Sequence, residues 1–291
     1  MKAREIRQRF RTLLADENTH VLPVVFDGIS ARVTAMTGFE VALVSGNVSA
    51  AALLALPDIG LLTLTEMTDF VRRICKATDI GYLVDADNGY GNAINVMRCV
   101  SEFESAGAAA IMFEDTELPT RYGQSGTTFV SREEMCGKLQ AAVEAREDDA
   151  LVLVGRTDTL RPLGLEEAVA RVRAYSTTGV DAIFVPGARS REDFAALRAA
   201  THLPLIGVGL PKPDAESTAL AFLRECGVGM TVTSTVPFQV SVQAIHDALV
   251  HLRKTGEFGP FEAQMCSRQL LDELLGAPSY QDRQRRFLGL D

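Results

Sequence analysis

The sequence predicts a single (β/α)8 barrel, and three observations predict it. Eight short apolar runs recur along the 291 residues, amphipathic stretches at helical spacing separate several of them, and no Pro-, Gly- or Ser-rich linker divides the chain. Strand followed by helix, repeated, means parallel pairing. Parallel strands are covered on both faces and therefore read as continuous apolar runs, as Ala-Ile-Met-Phe at 110–113, Leu-Val-Leu-Val at 151–154 and Ala-Ile-Phe-Val at 182–185 do. Eight such units over this length fit a closed barrel better than a doubly wound open sheet. The expected organisation is one barrel domain over 1–291 with a C-terminal helical extension from about 241 onward.

The elements follow in order. Met1 to Glu17 mixes Lys2, Arg4, Glu5, Arg7, Arg9 and Arg11 with Ile6, Phe10, Leu13 and Leu14, which is no signal peptide because it lacks a continuous apolar core. Strands are expected at Leu22–Phe26, Val41–Val44, Gly81–Asp85, Ala109–Glu114, Leu151–Gly155, Ala182–Val185, Leu203–Gly207 and Met230–Val232. Helical periodicity is clearest at Asn92–Ala106, Arg132–Arg146, Leu165–Thr178 and Arg191–Ala200. Beyond the eighth strand, Ser241–Lys254 and Glu262–Leu275 read as helices and Tyr280–Asp291 as a charged tail.

Composition narrows the function classes. Lys+Arg 29 against Asp+Glu 38 gives a net charge of −9, and no basic run is interleaved with aromatics, so the electrostatic footprint for nucleic acid or anionic lipid is missing. No apolar run reaches the length of a membrane span, so a cytoplasmic protein is expected. The five cysteines are scattered with no CxxC and read as reduced thiols. The four histidines lie outside every strand end, and no Ser/His/Asp or Cys/His arrangement is visible.

In such a barrel the active site lies at the C-terminal ends of the strands, and here those ends are acidic. Asp85-Ala86-Asp87-Asn88-Gly89-Tyr90-Gly91-Asn92, Glu114-Asp115 and Gly155-Arg156-Thr157-Asp158 bring Asp85, Asp87, Glu114 and Asp115 to one rim. Packed carboxylates repel unless a cation sits among them, and oxygen-only ligands suit a hard ion such as Mg²⁺ better than Zn²⁺. Taken singly, Asp87 or Asn92 reads equally as a helix cap. Arg156 matches a substrate carboxylate bidentately or pairs with Asp158 at the surface. Ser45-Gly46-Asn47 offers a hydroxyl and backbone N–H groups for a second anion, or is a plain turn. Asp58, in the turn Pro57-Asp58-Ile59-Gly60, is a helix cap or a catalytic carboxylate.

With these pieces in place the chain resembles the isocitrate lyase/phosphoenolpyruvate mutase superfamily. The resemblance rests on Phe26-Asp27-Gly28-Ile29-Ser30-Ala31-Arg32, Gly38-Phe39-Glu40, Ser45-Gly46, Leu56-Pro57-Asp58-Ile59-Gly60, Asp85 to Asn92, Glu114-Asp115 and Gly155 to Asp158. It implies a barrel of the phosphoenolpyruvate mutase type whose last helix is swapped between subunits of a homodimer or homotetramer. It also implies Mg²⁺, with Mn²⁺ as substitute, holding a 2-oxo acid or its enolate. Asp85 then approaches the metal directly, Asp87 and Glu114 act mainly through waters, and Arg156 with the Ser45-Gly46-Asn47 backbone holds substrate carboxylates.

Activities within the superfamily differ at the loop here spanning 116–126. It has neither the Cys of the Lys-Lys-Cys-Gly-His signature of the isocitrate and methylisocitrate lyases nor the Lys-rich pattern of the phosphonopyruvate-processing members. Its Leu118-Pro119, Tyr122-Gly123 form is similar to that of the oxaloacetate decarboxylase branch, as is Asn95-Val96-Met97-Arg98. The expectation is Mg²⁺-dependent decarboxylation of oxaloacetate, or a close 2-oxo diacid, to pyruvate and CO2 through a metal-stabilised enolate. That branch has a histidine after the eighth strand where this chain has Thr235, so Tyr122, Thr235 or a metal-bound water is left as the proton donor. Arg156, Asp58, Tyr122 and Thr235 are thus the candidate catalytic groups. Alternatives are P–C bond chemistry on a phosphonopyruvate-like substrate, with Arg121 meeting the phosphoryl charge, another C–C lyase of the superfamily, or a member that binds ligand without turnover.

Overall fold

The computed structural model describes residues 2–209 and 218–290, and the chain divides into two compact units, Met1–Thr235 and Val236–Asp291. In the first unit the strands are β1 His20–Leu22, β2 Val24–Val25, β3 Val41–Val44, β4 Gly81–Asp85, β5 Ala110–Glu114, β6 Val152–Arg156, β7 Ala182–Phe184, β8 Leu205–Val208 and β9 Val228–Val232. They form one sheet in the order β1-β9-β8-β7-β6-β5-β4-β3-β2, with every pairing parallel. Only Pro23 separates β1 from β2, so the two ends of that order meet in the chain and the sheet closes as a barrel of eight strand positions.

Pro23 is also where the expected first strand, Leu22–Phe26, proves to be two. Proline has no N–H to give a ladder, so β1 pairs with β9 and β2 turns to β3. Its carbonyl still accepts from Leu43 N at 2.9 Å, and Leu22 O accepts from Thr233 N at 3.0 Å.

Local chemistry starts the helices where the sequence calls for them. Asn92 accepts from the N–H groups of Ile94 and Asn95 and opens helix Ala93–Ala106, while Ser190 with Asp193 and Thr63 with Glu66 form capping boxes on Arg191–Ala200 and Leu64–Ala77. Helices Leu64–Ala77, Ala93–Ala106, Arg132–Ala145 and Leu165–Tyr175 bury Phe70, Val71, Phe103, Met135, Leu139 and Tyr175 against the outer faces of the strands. Helix Lys2–Leu14 lies under the N-terminal ends of the strands. A Cβ on Gly81, the first residue of β4, would lie 2.9 Å from the ring of buried Phe10, and one on Gly229 would lie 2.7 Å from the Leu14 carbonyl.

Register sets the level of the rim. Glu114 pairs with Arg156 and Arg156 with Phe184, while Glu114 N donates to Asp87 O at 2.8 Å. Asp87, Glu114, Arg156 and Phe184 therefore share one layer at the C-terminal ends of adjacent strands.

In the second unit, helix Val236–Thr255 starts five residues before the expected Ser241. The stretch expected as one helix at Glu262–Leu275 is a 3-10 turn, Gly259–Gln264, followed by helix Arg268–Leu275, because Ser267 caps a new start by accepting from Leu270 N. Gly276, at φ 66, ends that helix. The expected charged tail is mostly helical, Ala277–Leu288, and its last residue lies outside the described residues. Among the described residues no helix is long and apolar enough to cross a membrane.

Candidate active site

A pocket of about 1230 Å³ opens at the C-terminal rim of the barrel. Among the described residues it is lined by six carboxylates, Asp58, Asp85, Asp87, Glu114, Glu117 and Asp158, against two guanidiniums, Arg156 and Arg161, and by no histidine, cysteine or lysine. The excess of negative charge is the main physical fact of the site.

Arg156 is its centre. Nε and Nη2 donate to Asp158 Oδ2 and Oδ1 at 2.7 and 3.1 Å, Nη1 reaches Asp85 Oδ2 at 3.2 Å, and Nη2 pairs with Glu114 Oε2 at 2.9 Å. The guanidinium lies 5.6 Å from the centroid of the Phe184 ring, a cation–π platform that the register supplies. Burial works against its charge, but Glu114, Asp158 and Asp85 outweigh burial and hold it firmly protonated. Of the two readings left open by the sequence, the pairing with Asp158 is present, and the side chain is half-buried among carboxylates rather than free at the surface.

One cation does not neutralise the rest. Burial first, and then the charges of Asp85 and Asp58, push the Asp87 carboxyl up to about 8. Burial likewise pushes Glu114 up to about 8, against the pull of Arg156. Asp58 is raised by desolvation and then by Asp85.

Asp87 is presented by a tightly turned loop. Its own φ is 47°, Tyr90 is at 60°, and a Cβ on Gly89 would lie 2.3 Å from Val96 Cγ2. Asn88 pins this loop by donating through Nδ2 to Leu118 O at 2.7 Å, and buried Lys138 donates from Nζ to Asn88 O at 3.0 Å. Gly46 matters for approach: a Cβ there would lie 2.6 Å from Asp87 Oδ1. Ser45 is the N-cap of helix Gly46–Leu54 but makes no side-chain capping bond, and with Asn47 it lines the pocket. Gly46 N points at Asp85 Oδ2 at 3.5 Å.

The structure thus gathers Ser45, Gly46, Asn47, Asp58, Asp85, Asp87, Glu114, Arg156 and Thr235 around one pocket. Asp87 and Asp58 are not helix caps, since Asn92 and Thr63 fill those places. Two expected rim residues lie elsewhere. Tyr122 is fully exposed, at 107%, and is not among the lining residues. Asp115 is turned inward, where Tyr175 OH donates to it at 2.8 Å and Arg171 Nη1 at 3.1 Å. Arg121, the cation of the phosphoryl reading, is exposed and paired with Glu117.

Sequence reasoning missed Arg161 and Phe184. Arg161, five residues beyond Arg156 on the short helix Leu160–Leu163, is a second cation at the pocket and pairs with Asp193 at 3.5 Å. Its position in the loop after Arg156 was the available signal. Phe184 reads in sequence as one more apolar strand residue, and only the register puts it under Arg156.

The donor chemistry fits a hard dication held by a few carboxylates and waters, since the lining offers oxygen ligands and an unneutralised negative charge. Among the described residues no group of three or more His, Cys, Asp or Glu side chains is arranged so that it could hold a metal ion by itself.

Comparison with known proteins places this geometry. The sequence profile described as phosphoenolpyruvate phosphomutase matches residues 10–253. An oxaloacetate decarboxylase of Paraburkholderia xenovorans (strain LB400) is 38% identical over 283 residues, 97% of this chain and 93% of that protein. Among solved structures, the phosphoenolpyruvate phosphomutase of Streptomyces platensis subsp. rosaceus superposes with a TM-score of 0.86 at 27% identity, covering 97% of this chain and 99% of that one. A phosphonopyruvate hydrolase in complex with oxalate and Mg²⁺ superposes with a TM-score of 0.82 at 27% identity, covering 97% and 99%.

Proposed function

The chain belongs to the phosphoenolpyruvate phosphomutase family, and from that premise and its pocket we propose that it decarboxylates oxaloacetate, or a close 2-oxo diacid, to pyruvate and CO2 with Mg²⁺ or Mn²⁺. The observation that carries the reading is the set of six carboxylates around Arg156 in a pocket without a histidine, cysteine or lysine among the described residues. A site so composed has no histidine or lysine among its described lining residues to activate a serine or threonine as a covalent nucleophile, and decarboxylation of a 2-oxo acid needs none.

Asp85, with Asp87 and Glu114 acting through waters, would hold the dication, which when bound supplies Lewis-acid charge for the electrons released as the C–C bond breaks. Arg156 holds a substrate carboxylate with its Nη groups while Asp158 keeps the Nε edge occupied. Ser45 and the N–H groups that open helix Gly46–Leu54 receive the second anionic group. Asp58, raised by desolvation, is placed to hold or move a proton at its carboxyl oxygen. The hydroxyl of Thr235, beyond the end of β9, or a water it orders, returns the proton to C3. Tyr122 reaches the substrate only if the 116–130 segment moves inward.

Helix Val236–Thr255 buries none of its residues and exposes Val240, Ile245 and Leu249, which supports a homo-oligomer whose C-terminal helices are shared between subunits. The test of the activity is a coupled pyruvate assay with Mg²⁺, corrected for decarboxylation by the metal alone, with oxaloacetate and phosphonopyruvate in parallel. Saturable pyruvate release from oxaloacetate, absent with a chelator and in Asp85→Ala, is the expected result. Turnover of phosphonopyruvate alone would replace this reading with P–C bond chemistry.

A further inference from the structure

We infer that Asp115, Arg171 and Tyr175, none of which lines the pocket, are positioning residues that hold Arg156 in its substrate-binding pose through Asp158. The inference rests on the reading of Arg156 as the holder of a substrate carboxylate. Asp115 is fully buried and receives Tyr175 OH at 2.8 Å and Arg171 Nη1 at 3.1 Å on one oxygen. Its other oxygen accepts the backbone N–H of Asp158 at 3.1 Å. Asp158 in turn grips Arg156 with both oxygens.

This chain of bonds anchors the Nε side of Arg156 on Asp158, while its Nη groups meet Asp85 and Glu114. Asp85 and Glu114 are the partners a dication would draw away, which frees Nη1 and part of Nη2 for the substrate. The bidentate grip of Asp158 remains, and it sets the direction of the planar fork. Arg171 also donates to Val130 O at 2.9 Å, and Val130 N donates to Asp115 O at 3.0 Å. The same buried unit therefore fixes the end of the 116–130 segment and the 157–159 turn together. A like arrangement of outer hydrogen bonds around ligand groups commonly carries 10- to 100-fold of function.

The test uses full-length protein labelled at arginine Nε, with the Arg156 resonance identified by its loss in Arg156→Lys. Asp115→Asn is expected to speed solvent exchange of the Arg156 Nε–H by about tenfold and to raise the KM for oxaloacetate about tenfold, with kcat changed less. Tyr175→Phe, which removes one donor and keeps the ring, is expected to move both by about threefold. Val71→Ala, a core truncation in helix Leu64–Ala77, lowers stability without moving either readout. An Asp115→Asn protein with a cooperative melt and the wild-type exchange rate overturns the inference. If Asp115→Asn does not fold, Tyr175→Phe decides by the same criterion. Wild-type turnover by Arg156→Lys would overturn the site reading instead, with the exchange rates still deciding the positioning claim.

Discussion

The two ends of the barrel each carry a cluster of arginine and carboxylate side chains with a buried centre, and they behave in opposite ways. At the N-terminal end, Arg4, Arg7, Arg11 and Arg146 face Glu104, Asp148, Asp149 and Asp181 in even number. Arg7 donates to Ala108 O at 3.0 Å, to Glu104 O at 2.6 Å and to Asp148 Oδ2 at 2.9 Å, so its fork is spent on structure. Burial opposes the charge of Asp148, yet Arg7 and the Ala150 N–H hold its carboxyl below the usual range. At the C-terminal end, burial pushes Asp87 and Glu114 up to about 8, and neighbouring carboxylates add to the rise while Arg156 only partly opposes it. Burial is common to both ends, and the ratio of cations to anions separates them. The balanced end stabilises the fold, and the unbalanced end stores an electrostatic demand that a dication and an anionic substrate can meet.

The largest expected effect is at the unbalanced end. Asp85→Ala removes the group proposed to meet the ion and should lower kcat/KM for oxaloacetate by about 100-fold or more, to the rate seen with a chelator. Pyruvate release near the wild-type rate in that variant would break the comparison. Arg7→Met tests the other end. Breaking a buried ion pair there should cost about 3–5 kcal/mol of stability, read by denaturant unfolding, while the folded fraction keeps its kcat.

A third, smaller effect has a definite sign. Asp87 is raised in the folded state above its unfolded value of about 3.9, so the native protein binds more protons between that pH and about 8. Metal-free protein should therefore lose stability as pH rises through this window. Asp87→Asn should flatten that loss and raise the Tm at pH 8 by about 2–4 °C per kcal/mol of repulsion relieved, while abolishing turnover. Thermal melts with chelator at pH 5 and pH 8 measure it, and an unchanged slope would remove Asp87 from the charge surplus. The smallest effect is expected at Tyr122. Its phenol is fully exposed outside the pocket, so Tyr122→Phe should leave kcat within about twofold, and a large loss would show that the 116–130 segment brings it to the substrate.

The barrel was legible because its signals are local. Apolar runs such as Gly81–Asp85 and Ala110–Glu114 need no partner to be read as buried parallel strands, and caps such as Asn92 and Ser190 announce their helices. The acid-rich strand ends were legible for the same reason. What sequence could not supply was direction. Glu114 and Asp115 are adjacent, and the alternation of a strand sends one to the rim and the other into the packing against Arg171 and Tyr175. Nor could spacing show that Phe184 underlies Arg156, which depends on the register of β6 with β7. Pro23 was visible in its run, but its consequence, a first strand shared between two neighbours, follows from closure of the sheet.

The most direct measurement compares the two arginines in one assay. Arg7→Met and Arg156→Met are assayed for oxaloacetate-dependent pyruvate release with Mg²⁺ at a temperature where both are folded. The charge-ratio account predicts near-wild-type kcat/KM for Arg7→Met and a loss of about 100-fold or more for Arg156→Met. Equal losses in the two variants, or full turnover by Arg156→Met, would contradict it.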